Sequence, residues 1–253
     1  MTRRVDLNSD VGEGYGAWKG GPDRELMGII TSANIACGFH AGDPSIMRRT
    51  CEMAVENNVS IGAHVSYPDL AGFGRRFIDM RADDLEDAMI YQMGALAACA
   101  RAAGGSVTYV KPHGALYNTA AVDAEQAAAI VEGLRRYDPA LALLCLPNSE
   151  MQREAEKAGV VAYAEAFADR AYTADGKLVP RGRPGAVLHD TDVVATRAVG
   201  MATGGVVTED GTKLDVRPDS LCVHGDTPGA VELARRIEAA LTGAGIQLGA
   251  FTG

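Results

Sequence analysis

Four of the five histidines in this 253-residue chain occupy the same kind of position, at the C-terminal end of a short apolar run beside glycine, proline or a carboxylate. His40 lies in ANIACGFHAGDP, His64 in VSIGAHVSYPD, His113 in VTYVKPHGALYN and His224 in SLCVHGDTPG. Imidazole changes charge near neutral pH and is the commonest metal ligand, so these positions suit proton transfer, substrate binding or ligation. A single strand-end histidine suits helix capping equally well. Four in the same setting favour one shared pocket, because a parallel α/β fold gathers the C-terminal ends of its strands on one face.

Carboxylates and cations recur at the same places. Residues 6–14, DLNSDVGEG, hold Asn8, Asp10 and Glu13 among glycines. On a strand, residues 8 and 10 face the same side, so both can point into a barrel mouth with Glu13 in the loop above. Two carboxylates in a cleft separate their pKa values, which suits one as base or ligand; the plainer reading is a turn held by Asn and Asp side chains. In residues 110–118, VKPHGALYN, Lys111 ends an apolar strand and calls for a carboxylate partner, with Asp10 and Glu13 as candidates. It then becomes a charge stabiliser for an oxyanion or phosphoryl group, or a purely structural ion pair. His113 is the candidate proton donor, and Tyr117 and Asn118 are candidate substrate contacts.

Residues 62–76, GAHVSYPDLAGFGRR, add Arg75 and Arg76, either of which suits a two-pronged grip on a substrate carboxylate, in a loop that Gly72 and Gly74 would let move. Asp10, His40 and His64 supply enough donors for zinc or manganese, although no HExxH spacing accompanies them. Neither GxxxxGK[ST] nor GxGxxG occurs, so any ATP site must be built differently.

The elements that must position these groups alternate strand and helix. Apolar runs predict seven strands, at 4–9, 33–39, 59–65, 107–112, 140–146, 160–166 and 219–224. Helices are expected over 43–57, 83–104, 123–138, 148–158, 189–203 and 227–243. The helix at 83–104 has Asp83 and Glu86 in capping-box spacing and a core stripe of Leu85, Met89, Met93, Leu96 and Ala100. Asp43-Pro44 and Thr227-Pro228 each put a capping side chain before a proline. His40 and His224 each precede such a proline by four residues, near a helix start that would welcome an anion. Residues 167–186 and 205–217 break the alternation with Asp-Gly turns, the mark of hairpin insertions over one rim, and the first carries Arg170.

One domain spanning residues 1–253 is the default at this length. A net charge of -9, with no basic block, argues against a nucleic-acid partner. No segment approaches a membrane span, and MTRRVDLNSD lacks the apolar stretch of a signal peptide. Five cysteines without CxxC spacing suit reduced thiols in a cytoplasmic protein.

DLNSDVGEGYG, ANIACGFHAGDP, GAHVSYPDLAGFGRR, VKPHGALYN, EAFADRAY (165–172), LVPRG (178–182) and VHGDTPGAV together resemble the LamB/YcsF family, the A subunits of bacterial 5-oxoprolinase. The likeness runs nearly end to end, departing at Val65, where proline is more usual, and at Ala171, where a second arginine is frequent. It implies an irregular seven-stranded parallel β/α barrel like that of the sugar deacetylases. It also implies ATP-dependent (with Mg²⁺) opening of 5-oxo-L-proline to L-glutamate, together with subunits B and C.

For that chemistry Asp10 or Glu13 is the candidate base, Lys111 and Arg170 the charge stabilisers, and His113 the proton donor. Asn8, His40, His64, Arg75, Arg76, Tyr117, Asn118, Arg170 and His224 are the candidate substrate contacts. Which subunit holds ATP, whether a transition metal is bound and whether the chain self-associates are left open. Two other readings stand beside this one: a stand-alone metal-dependent amide or sugar deacetylase, and a non-catalytic substrate-binding or docking subunit.

Overall fold

Along the first strand Asp6, Asn8 and Asp10 share one side, while the other side carries the buried Val5, Leu7 and Val11 and a buried Ser9 that donates to the Val223 carbonyl. Side chains alternate across a strand, so such a segment needs a polar surface on one side and an apolar one on the other. A closed barrel wrapped by helices supplies both. The computed structural model describes residues 3–214, 216–225 and 229–252. Its elements begin with β1 (Arg4–Val11), α1 (Asp23–Met27), β2 (Ser32–Ala36), α2 (Pro44–Glu56), β3 (Ser60–Val65) and α3 (Ala82–Ala102). They continue with β4 (Val107–Pro112), α4 (Gly114–Ala120), α5 (Ala124–Tyr137), β5 (Ala142–Cys145), α6 (Glu150–Ala158) and β6 (Ala162–Phe167). Last come α7 (Thr191–Gly204), β7 (Val206–Val207), β8 (Lys213–Leu214), β9 (Ser220–Val223), α8 (Ala230–Gly243) and β10 (Gln247–Leu248).

Seven parallel strands close the barrel in the order β1-β2-β3-β4-β5-β6-β9, with β9 pairing back onto β1. These are the seven strands expected. The register slips between Ile61 and Gly62 on β3, where a Cβ on Gly62 would overlap the Tyr109 ring. The short β10 pairs with the start of β1, and Phe251 beyond it packs on Tyr109 and Tyr163, plugging the lower end.

The outward faces of the strands and the inner faces of the helices make one continuous apolar layer. The expected stripe on α3, Leu85 to Ala100, is wholly within it. Each leucine and methionine of the stripe contributes roughly 1.5–3 kcal/mol by leaving water. The expected capping box does not form: α3 starts at Ala82, and Asp83 pairs with Arg81. Asp43 does cap α2, accepting from the N–H groups of Ser45 and Ile46, so that helix end is filled from within rather than left for an anion. The corresponding cap Thr227-Pro228 lies outside the described residues. Helices α1 and α4 are too short to show a helical period and were not expected.

The insertion at 205–217 forms the antiparallel pair β7–β8. That at 167–186 pairs only at Tyr172 with Leu178 and at Arg170 with Val187. The two touch through the Glu209 N–H donated to the Tyr172 carbonyl and an Arg183–Glu209 ion pair of 3.2 Å.

The polar side of the strands meets in the lumen. Asp6 accepts from Thr31, Ser32 and Ser220; Asn8 donates to Glu165 and Ser220; Asn34 donates to Asn8 and Asp10 and accepts from the Tyr109 hydroxyl. Burial pushes the Asp6 carboxyl up to about 6 against the pull of its three hydroxyl donors. A carboxyl raised from 3.8 in the unfolded chain stabilises the fold fully below that value and loses its contribution as pH climbs through 6. Urea unfolding of the wild type and Asp6→Asn at several pH values should therefore show the wild type losing about 2–3 kcal/mol relative to the variant between pH 4 and pH 7. Parallel profiles would show that Asp6 is not shifted.

Candidate active site

The C-terminal strand ends open on a cavity of about 520 Å³, lined by Asp10, His64, Arg75, Lys111, His113 and His224 among others. Its far wall is the first insertion, Lys177 to Arg181. The expected convergence of distant strand ends thus occurs.

Lys111 is the electrostatic centre. Its Nζ lies 2.8 Å from Glu165 Oε1 and 3.1 Å from Asp10 Oδ1, and also reaches Asn8 Oδ1 and Cys222 Sγ at 3.3 Å. Of the two partners expected, Asp10 is correct; the second is Glu165, not Glu13. Glu165 also accepts from the Tyr117 hydroxyl and the Asn8 amide, so its charge is surrounded by donors. Burial works against charge on Lys111, yet Asp10 and Glu165 hold its pKa well above the usual value. Burial likewise opposes charge on Asp10, yet His64 and Lys111 hold it well below the carboxylate range. Asp10 is therefore an anion at neutral pH.

Above Lys111 three histidines meet, His64 at the end of β3, His113 directly after β4 and His40 in the loop after β2. His64 Nδ1 donates to the Lys111 carbonyl at 2.9 Å, and His113 Nε2 donates to the Phe73 carbonyl at 2.8 Å. Their remaining nitrogens, His64 Nε2 and His113 Nδ1, face each other at 3.0 Å. Glu13 Oε1 lies 3.3 Å from His113 Nδ1 and 3.0 Å from His40 Nε2. His40 stacks on His113 with ring centres 3.8 Å apart. Burial first, then the neighbouring imidazoles, push His40 and His113 well below the usual histidine pKa. For His64, burial is outweighed by Asp10, which raises it. Gly74, at φ +64, lets the loop press onto this cluster: a Cβ there would fall 2.7 Å from His113 and 2.9 Å from His40. Gly74 thus serves the close approach of the loop to the histidines.

The donor set differs from the expected Asp10, His40 and His64. One ligand atom each from Glu13, His40, His64 and His113 lies within 4.8 Å of all the others. Asp10 stands at the edge, with Oδ1 on Lys111 and Oδ2 3.4 Å from His64 Nε2.

Other expected contacts divide. Arg75 and Asn118 line the cavity, Arg75 lying over the Phe73 ring at 5.0 Å. Arg76 does not: its guanidinium grips Asp69, which also accepts from the Gly72 N–H, so it fastens the loop at the surface. Arg170 borders the cavity, but its Nε and Nη2 donate to the carbonyls of Ala186 and Val179, tying down the insertion. Asn8 and His40 are buried beneath the mouth, and neither borders the cavity. Tyr117 borders it, but its hydroxyl is turned to Glu165.

Residues not singled out from sequence complete the site. Asp169 Oδ2 holds His224 Nδ1 at 2.8 Å, and the His224 ring stacks on Phe167. Against the push of burial, His224 keeps Asp169 below the usual carboxylate range. Both Glu165 and Asp169 lie in EAFADRAY, the signal for each being a lone acid in a strand otherwise apolar or at its end.

A closed seven-stranded parallel barrel wrapped by helices is the β/α-barrel fold of the deacetylases. A family 4 carbohydrate esterase from Streptomyces lividans shares this fold at a TM-score of 0.50 and 12% identity, over 99% of this chain and 93% of that one. The chain belongs to the LamB/YcsF family, whose model matches residues 5–253. It is 55% identical over 248 residues to a Streptomyces avermitilis protein named as the A subunit of 5-oxoprolinase, covering 98% of this chain and 99% of the relative. The lactam utilization protein from Thermus thermophilus superimposes with a TM-score of 0.94 at 43% identity, over 98% of this chain and all of that one.

Proposed function

We propose that this chain is the A subunit of a cytoplasmic 5-oxoprolinase and opens the lactam of 5-oxo-L-proline to L-glutamate, in an assembly with B and C subunits that consumes ATP with Mg²⁺. The observation that carries the reading is the full-length likeness to relatives of that name, joined to a mouth that presents an ionised carboxylate to a cavity large enough for a small cyclic amide. Among the described residues, no helix is long and apolar enough to cross a membrane.

A lactam carbonyl is a poor electrophile; transfer of the ATP terminal phosphoryl group to its oxygen, with ADP leaving, makes its carbon attackable by water, the ring nitrogen then leaves protonated, and a second water releases phosphate from the resulting acyl phosphate to give glutamate. Asp10 is the base in this reading: it borders the cavity and is kept ionised by the Lys111 ammonium 3.1 Å away. Lys111, whose three protons already meet Asp10, Glu165, Asn8 and Cys222, acts through Asp10, holding its position and charge rather than touching substrate. Arg75 takes the substrate carboxylate. His113 has its Nε2 proton committed to a backbone carbonyl, and the donation to the leaving ring nitrogen passes to His224, which Asp169 orients. A divalent cation held by Glu13 and the three histidines would supply Lewis acidity at the mouth.

The test is glutamate formation from 5-oxoproline by the chain mixed with B and C partners, with and without ATP. Asp10→Asn should lower turnover about 10²–10⁴-fold while the assembly still forms. Undiminished turnover in an intact assembly would leave the chain a binding or docking subunit. The histidine cluster favours one rival, the stand-alone metal-dependent deacetylase; it requires activity of the isolated chain without ATP.

A further inference from the structure

Two of the mouth's histidines are locked in tautomers that cannot satisfy each other. Because carbonyl oxygens only accept, His64 must carry its proton on Nδ1 and His113 on Nε2. In their neutral forms the bare nitrogens His64 Nε2 and His113 Nδ1 then point lone pair to lone pair across 3.0 Å, with a Glu13 oxygen 3.3 Å from the second. Three acceptors converge on one buried spot, and among the described residues no cationic side chain lies between them. A fourth can join them: His40 Nε2 faces Glu13 at 3.0 Å, and placing the His40 proton on its buried, unpartnered Nδ1 turns the Nε2 lone pair to the same spot.

We propose that Glu13, His40, His64 and His113 bind one divalent first-row transition ion. The separations suit it. Ligands about 2.0–2.1 Å from a tetrahedral zinc lie roughly 3.3 Å from one another. The closest pairs here are 3.0, 3.0 and 3.3 Å apart, and the whole set falls within 4.8 Å. His64 is placed by the register of β3, His113 follows directly on β4, and His40 and Glu13 come from the loops after β2 and β1; the Lys111 and Phe73 carbonyls are the outer partners that orient ligating imidazoles. Three imidazoles with one carboxylate select zinc, manganese, iron or nickel over the oxygen-seeking magnesium and calcium. The site is distinct from any Mg²⁺ that travels with ATP, and it does not rest on the lactam reading, because it is measured without turnover.

The rival for the same spot is an extra proton, giving a His64 imidazolium. Elemental analysis of the chelator-stripped chain reloaded with Zn²⁺ should find about one ion per chain, and Co²⁺ in its place should give visible d–d absorption. His113→Gln and Glu13→Gln should each weaken Zn²⁺ binding by about 100-fold or more, with the fold confirmed by near-UV circular dichroism. If these variants do not fold, imidazole NMR of the wild type decides: added Zn²⁺ should shift the His64 Nε2 and His113 Nδ1 resonances. Retention of less than about a tenth of an equivalent, unchanged uptake by the folded variants, or unmoved resonances would each overturn the proposal.

Discussion

Lys111→Met is expected to reduce turnover in the assembled enzyme about 10³-fold and to destabilise the isolated chain by about 3–5 kcal/mol. The two effects have one origin. The lysine ammonium is 2% exposed and is shared by Asp10 and Glu165. Methionine fills the same space but leaves two carboxylates facing a lumen with no cation, and breaking a buried pair costs more than never having made it. Asp10 then loses the charge that holds it ionised and in place. Adding Glu165→Gln to Lys111→Met should restore part of the stability without restoring turnover, because it removes one stranded charge but does not repair Asp10. Urea denaturation of the three variants, alongside single-substrate kinetics, reads both arms. A Lys111→Met chain as stable as the wild type would refute the shared-cation picture.

His224→Gln should lower kcat about 10²–10⁴-fold with little change in KM, since it removes the proposed proton donor while glutamine still fills most of its place in the cavity wall. Asp169→Asn should lower kcat as well, because an amide no longer fixes the Nδ1 proton of His224. As a positioning residue Asp169 acts through the histidine, so the double variant should be no slower than His224→Gln alone. Additive losses, or a rise in KM in place of the fall in kcat, would assign the pair to substrate binding.

The barrel was legible because each parallel strand announces its end. An apolar run stopping at histidine beside glycine or a carboxylate marks the rim, and the resemblance carried by those same blocks points to the same seven strands. Partnership was less legible. Lys111 plainly needed a carboxylate, but Glu165 lies 54 residues further along the chain and only barrel closure brings β6 beside β9 and β4 within reach. Alternation in β1, with Asp6, Asn8 and Asp10 at every second place, was the visible sign of a polar lumen, and Ser220, Cys222 and His224 repeat it. Arginines were the least legible. Arg75 and Arg76 are adjacent and chemically equal, yet one lines the cavity and the other is spent on Asp69, a choice made by loop geometry alone.

The cavity's far wall, Leu178 to Arg181, belongs to no barrel strand and is suspended from Arg170 through the Val179 and Ala186 carbonyls. Shape selection and reactivity are therefore physically separable in this molecule. Exchanging that suspended segment for a longer or shorter one would resize the chamber for lactams of other ring sizes while leaving the lysine and its two carboxylates undisturbed.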